Sequence, residues 1–140
     1  MIEKFFPGCK VYQEACPMWV PLIENNEHQS AGADYFVQKE MDKLLQQSPD
    51  IDTILLACTH YPLLMNKIQR FIPQGIKVLS QGKIVADSLK EYLSRHPEME
   101  TRCSKNGQLS FFTTDSTEDF DNHATTFFGS PVESLHLDLS

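Results

Sequence analysis

Long apolar runs are missing from these 140 residues; the longest, Ile54 to Cys58, is five. A bilayer span needs roughly 20, so no membrane partner is expected. Positive charge is scarce too: 12 Lys and Arg face 19 Asp and Glu, a formal net charge of −7. A chain of that sign gains no counterion-release affinity for nucleic acid, so none is expected as a partner. The four cysteines, at 9, 16, 58 and 103, contain no C-x-x-C pair. That removes zinc knuckles and dithiol redox motifs. An even count could form two disulfides, but a chain of this size with an ordinary core does not need them, and all four read as reduced thiols. The opening MIEKFFPGCK is too short and too interrupted for a signal peptide. Cytoplasmic placement follows as the expectation. Repeats and low-complexity tracts are absent as well.

What remains is an ordinary globular composition, 41% hydrophobic and 22% charged, enough for a real core. Short apolar runs alternate with helical periods, which predicts an α/β fold with a largely parallel sheet and flanking helices. Lys10 to Ala15 reads as a strand and Met18 to Asn25 as a short helix or turn. From Gly32, the residues Ala33, Phe36, Val37, Met41, Leu44 and Leu45 share one helical face, stopped by Ser48-Pro49-Asp50. Ile51 to Ala57 is the strongest buried strand. Tyr61-Pro62 opens a helix whose stripe continues through Leu64, Ile68 and Phe71. Ile76 to Leu79 is a strand, and Ser80-Gln81-Gly82 a turn. Val85, Leu89, Tyr92 and Leu93 line a further helix. His96 to Gly107 reads as polar loop and Leu109 to Thr113 as a strand. Asp115 with Glu118 gives a capping-box-like start to a last helix ended by Gly129. Val132 to Leu137 closes the pattern as a strand. Composition shifts near Gly75 to Gly82, where a crossover between domains could lie.

The chemistry concentrates where IDTILLA ends. Functional groups of open α/β sheets gather outside the carboxyl ends of strands, and Cys58-Thr59-His60 stands at such an end. A helix start just beyond would favour a thiolate. Thr59 offers a hydroxyl to a carboxylate, and His60 an imidazole that exchanges protons near neutral pH. The plainer reading is a buried cysteine acting as a small hydrophobe, a threonine cap and a satisfied surface histidine.

Four stretches break that balance. Cys58-Thr59-His60-Tyr61-Pro62-Leu63 resembles the C-T-H-Y-P-L signature of cofactor-independent glutamate racemases. Ala15 to Glu24, ACPMWVPLIE, resembles an upstream segment of that family, and Phe111 to Phe120, FFTTDSTEDF, a late strand leading into its last helix. Val78 to Leu89 resembles the family's return to its first lobe, although Ser80-Gln81-Gly82 departs from the commoner D-S-G. The resemblance runs from about Val11 to Gly129. It implies a two-lobed α/β enzyme that interconverts L- and D-glutamate for bacterial cell-wall synthesis. Two opposed cysteines would do this without pyridoxal phosphate or metal. In that scheme Cys58 is the second-lobe base acting on L-glutamate, His60 assists proton transfer, Thr59 holds the substrate carboxylate, and Glu24 matches a glutamate near the site. Residues 1–79 would form most of the second lobe, and 80–140 a segment returning to the first.

The family's amino-terminal D-S-G segment, its P-Y-G loop and its first cysteine have no counterpart here. Cys9 and Cys16 stand in the wrong context to replace that cysteine, and Cys16 reads as a packed structural thiol. Cys103 lies in a polar run and reads as exposed. The chain is therefore expected to be a truncated racemase, inactive alone and a homo-oligomer. Trp19 is expected to pack its loop, the late phenylalanines to be core, His28, His96, His123 and His136 to be solvated, and the acids at 115 to 121 to serve a helix start rather than a metal. The competing readings are an aspartate or other amino-acid racemase of the same design, a Cys–His hydrolase, for which the sequence names neither an orienting residue nor an oxyanion hole, and a non-catalytic dimerising module.

Overall fold

The computed structural model describes residues 2–139. The chain divides into two compact units, Met1–Ala86 and Asp87–Ser140. Each is built around one parallel strand pair with a helical connection, as the alternation predicts.

In the first unit, α1 (Ile2–Phe5) precedes an irregular stretch, then α2 (Trp19–Glu24) and α3 (Ala31–Gln46). Ser30 starts α3: its side chain accepts from the Ala33 N–H at 3.2 Å, answering one of the helix's unpaired donors. The stripe read from the sequence faces inward, with Ala33, Val37 and Met41 buried. Strand β1 (Thr53–Leu56) leads through a 3-10 turn, Tyr61–Leu64, into α4 (Met65–Phe71) and back to β2 (Lys77–Ser80). The strands pair in parallel, with Ile54 opposite Val78 and Leu55 opposite Leu79. Ile54 and Leu56 point into a core with Trp19, Ile23, Val37, Met41, Leu64 and Ile68. Trp19 is fully buried, donates from Nε1 to the Phe36 carbonyl at 3.4 Å and meets the Tyr61 ring edge-on. It packs its own loop, as expected.

Helix α5 (Gln81–Arg95) follows β2 directly and runs across the division between the units. The second unit continues with α6 (Pro97–Glu100), β3 (Phe111–Thr113), α7 (Thr117–Phe128) and β4 (Ser134–His136). Strands β3 and β4 are parallel, with Phe112 opposite Leu135. Phe111 packs edge-on against Phe128 of α7, and the Ser134 N–H donates to Asp121 on that helix at 2.9 Å. So α7 lies on the Phe111 face of this sheet. Gly129 ends α7 at φ 80°, a left-handed position that costs glycine nothing.

Several expectations need correction. Lys10 to Ala15 forms no strand. A strand needs a ladder partner, and this segment is instead tied to α3, where Gln47 donates to the Gln13 carbonyl at 3.0 Å. Gln81 and Gly82 are helical rather than a turn; the reversal before β2 uses Gly75 at φ 100°. The loop after His96 holds α6. The cap of α7 is Ser116, which accepts from the Asp119 N–H, one residue beyond Asp115. His96 is not simply solvated, since it stacks on Tyr92. His28 has a buried Nδ1 without a partner among the described residues. The late phenylalanines are only partly core: Phe112, Phe127 and Phe128 are exposed.

Candidate functional site

Parallel pairing of β1 with β2 fixes where the chain leaves the sheet. Leu56 is the last strand residue, and Cys58 follows two positions later at the carboxyl end. The 3-10 turn then begins, with the Tyr61 N–H donating to the Cys58 carbonyl at 3.3 Å. This tight reversal brings the two side chains flanking Thr59 together. Cys58 Sγ lies 3.8 Å from His60 Nδ1. On its far side, His60 Nε2 lies 3.4 Å from Glu24 Oε1, at the last residue of α2. Thiol, imidazole and carboxylate thus stand in line, all within the first unit. Cys58 and His60 are half-buried, whereas Glu24 and Thr59 are exposed.

The expected helix start beyond Cys58 is a four-residue 3-10 turn followed by the seven-residue α4. Its dipole is therefore short, and a group in contact with the thiol that can manage its charge is His60. What the arrangement can do follows from proton capacity. An imidazole bonded through one ring nitrogen to a carboxylate is held in one orientation, and its other nitrogen can take a proton from a thiol or return it.

Cys16 has a contrasting environment. It is buried, and its Sγ lies 3.8 Å from the Glu14 carbonyl. Burial first, then the carboxylates of Glu40 and Glu14, push its thiol up to about 12, against a hydrogen bond from Tyr61 and the charge of Lys43. Tyr61 stands between the two environments. Its hydroxyl is raised by burial, then by Cys16 and Cys58. Cys9 and Cys103 are exposed free thiols.

Sequence reasoning named the three aligned residues but missed two buried charged groups of the same unit. Lys67 is buried and donates to Asp34 at 2.5 Å and to the carbonyls of Gln29 and Ser30. It fastens α4 to the start of α3. That hydrogen bond holds the Asp34 carboxyl below its ordinary range, aided by the charges of Lys67 and Arg70. Glu40 is buried against Lys43 at 2.7 Å, a contact that raises the Lys43 ammonium. Both were findable. Lys67 sits three residues after Leu64 and Glu40 three after Val37, so each interrupts an apolar stripe at an inward position. Among the described residues no three or more His, Cys, Asp or Glu group as metal ligands, and no helix is long and apolar enough to cross a membrane.

No family model matches the chain. Curated relatives do. A glutamate racemase of Lactiplantibacillus plantarum is 33% identical over 134 residues, covering 95% of this chain and 48% of the relative. One of Streptococcus suis is 33% identical over 138 residues, covering 99% and 51%. The chain thus spans about half the length of the curated relatives it matches. Among solved structures, a glutamate racemase isoform of Bacillus anthracis superposes with a TM-score of 0.81 at 27% identity, over 99% of this chain and 50% of that one. A glutamate racemase of Francisella tularensis, solved with D-glutamate, gives 0.80 at 22% identity and the same coverage, which speaks for the fold alone. The chain is a relative of the glutamate racemases that matches about half of one, and the carboxyl-terminal half is the one that fits.

Proposed function

We propose that this chain supplies one of the two acid–base faces of a glutamate racemase. The line from Cys58 through His60 to Glu24 at the end of β1 carries the proposal. Cys58 as thiolate removes the Cα proton of L-glutamate and, in the reverse direction, returns one to the same face. His60 takes and gives the thiol proton, and Glu24 orients the imidazole as a positioning residue. Thr59, exposed beside them, donates to the substrate carboxylate. An amino acid Cα–H is a very weak acid, so orientation and stabilisation of developing charge must supply much of the rate. The second base comes from the half of the fold that this chain does not match, with no cofactor or metal. The enzyme works in the cytoplasm on glutamate for peptidoglycan synthesis, as a homo-oligomer, and the 140 residues alone do not racemise. In lobe terms, residues 1–79 form most of one lobe and 80–140 return to the other.

The Cys–His hydrolase reading gains its orienting residue in Glu24. The similarity to racemases along the whole chain favours proton transfer over acyl transfer.

The test is a chimera in which this chain replaces the matching half of the Lactiplantibacillus plantarum glutamate racemase. L-to-D conversion is expected. Cys58→Ala should abolish it while the Cα proton of D-glutamate still exchanges in deuterated water. Turnover that survives Cys58→Ala would remove Cys58 from the mechanism.

A further inference from the structure

Lys67 holds a charge where the helix period calls for an apolar side chain. It is the third residue of α4, beside the fully buried Ile68, and its side chain is 8% exposed. A buried ion pair is weak evidence for stability, because desolvation offsets the attraction; its best-attested use is to fix one register among several. The apolar core around Lys67 cannot do that alone, since hydrophobic contact has no direction. The bonds of Lys67 do have direction. Its Nζ donates to Asp34 Oδ1 at 2.5 Å, to the Ser30 carbonyl at 3.2 Å and to the Gln29 carbonyl at 3.3 Å.

What these bonds register can be followed along the backbone in two directions. Toward the histidine, α4 continues the 3-10 turn Tyr61–Leu64, and the Leu63 N–H donates to the His60 carbonyl at 3.1 Å. Toward the carboxylate, the Ser30 N–H donates to the Glu27 carbonyl at 2.9 Å, and the Glu27 N–H to the Leu22 carbonyl at 2.7 Å, inside the helix whose last residue is Glu24. The segments carrying His60 and Glu24 are thus two hydrogen-bonded arms, joined at one ammonium group. The Glu24 side chain is 51% exposed, so its 3.4 Å approach to His60 depends on where the end of α2 lies rather than on burial. We infer that Lys67, seated by Asp34, is a positioning residue for the Cys58–His60–Glu24 line: it locks the loop 25–30 to α4 and so holds the Glu24 carboxylate on the imidazole. Its effect on turnover rests on the racemase reading; the alignment itself does not.

The alignment is read in the 140-residue chain by NMR of the His60 ring nitrogens, whose shifts report tautomer and hydrogen bonding. Glu24→Gln gives the spectrum of the ring without its carboxylate. Lys67→Met should move the His60 signals toward that spectrum. Asp34→Asn, which keeps an acceptor without its charge, should move them the same way by less, and it carries the test if Lys67→Met does not fold. Lys43→Met is the matched control. It removes the closer of two ammonium groups beside buried Glu40, and should lower the melting temperature without moving His60. In the chimera with the Lactiplantibacillus plantarum racemase, Lys67→Met should lower kcat about ten-fold with KM within about two-fold, because a small misplacement far from the substrate is costly to rate. Lys67→Arg, which keeps the charge and the donors, should recover part of that loss. His60 signals unmoved in both Lys67→Met and Asp34→Asn would overturn the inference. So would equal movement in Lys43→Met, which would make the effect a general loosening, or an unchanged kcat in a chimera whose His60 has moved. A chimera without turnover whose His60 still responds to Lys67→Met would fail the racemase reading and leave the alignment standing.

Discussion

Two units with the same local grammar, strand, helix, parallel strand, handle their apolar residues in opposite ways. The first buries Trp19, Ile23, Val37, Leu64 and Ile68 almost completely. The second has, among the described residues, only Val132 as a buried hydrophobic and leaves Leu109, Phe112, Phe128, Leu135 and Leu137 exposed. The cause is the number of layers. In the first unit α2, α3 and α4 enclose one face of the sheet together with the stretch carrying Cys16. In the second, α7 is the helix packed on β3 and β4, and α5 and α6 bury nothing. A βαβ unit is thus a pattern that needs company. Whether it has a core depends on what lies beyond its own residues, and the proposed catalytic line sits on the unit that has one.

The sharpest way to break this contrast is to delete one large side chain from each unit. Trp19→Ala removes a ring packed on Tyr61 and a hydrogen bond to Phe36, and should cost about 3–5 kcal/mol. Phe112→Ala removes a half-exposed ring and should change stability by less than about 0.5 kcal/mol in the chain alone. Urea unfolding followed by circular dichroism measures both. Equal losses would mean that the second unit has a core of its own.

Much of this was legible in the sequence, and the failures share a cause. Apolar period located α3, β1, β2, α7 and β4 because each has one face to bury. It also placed Cys58 at a strand end. It misassigned Lys10 to Ala15, since six residues of strand character become a strand only beside another strand. It could not place Glu24 against His60, a contact across 36 positions of chain that depends on how α2 sits on the core. Nor could it tell that Leu55, opposite Leu79, would be half exposed. Alternation says which side is apolar, not what covers it.

The thiols extend the contrast to reactivity within the first unit. Cys16, pushed up to about 12 by burial and then by Glu40 and Glu14, has almost no thiolate at pH 8. Cys58, half-buried beside His60, should be alkylated about a hundred-fold faster. Labelling with iodoacetamide followed by peptide mass spectrometry reads each site, with exposed Cys9 and Cys103 as internal references. Cys16 reacting as fast as Cys58 would mean that the first unit opens as readily as its surface. The same raised thiol gives a pH signature. The unfolded state deprotonates near 9 and the folded state only near 12, so the stability from Cys16 is fully present below pH 9 and is lost as pH rises through that window. Cys16→Ala should flatten this alkaline limb.

The smallest expected effect isolates the units from their side-chain cores altogether. One long helix in each unit begins at a serine: Ser30 accepts from the Ala33 N–H of α3, and Ser116 from the Asp119 N–H of α7. Chemically the two caps are equivalent, and each has an acid in the first turn, Asp34 in one and Glu118 with Asp119 in the other. Replacing either serine by alanine should cost about 1 kcal/mol of helix stability. Where that loss is seen should differ. Helix α3 is locked into the core through Val37 and Met41, so Ser30→Ala should shift the unfolding of the whole first unit and lower amide protection in β1 as well as α3. Helix α7 has no fully buried residue, so Ser116→Ala should raise hydrogen exchange in α7 and its sheet while leaving β1 unchanged. Native-state exchange resolves the two cases. If Ser116→Ala deprotects β1 to the same degree, the units unfold as one, and the layer count would not be what separates them.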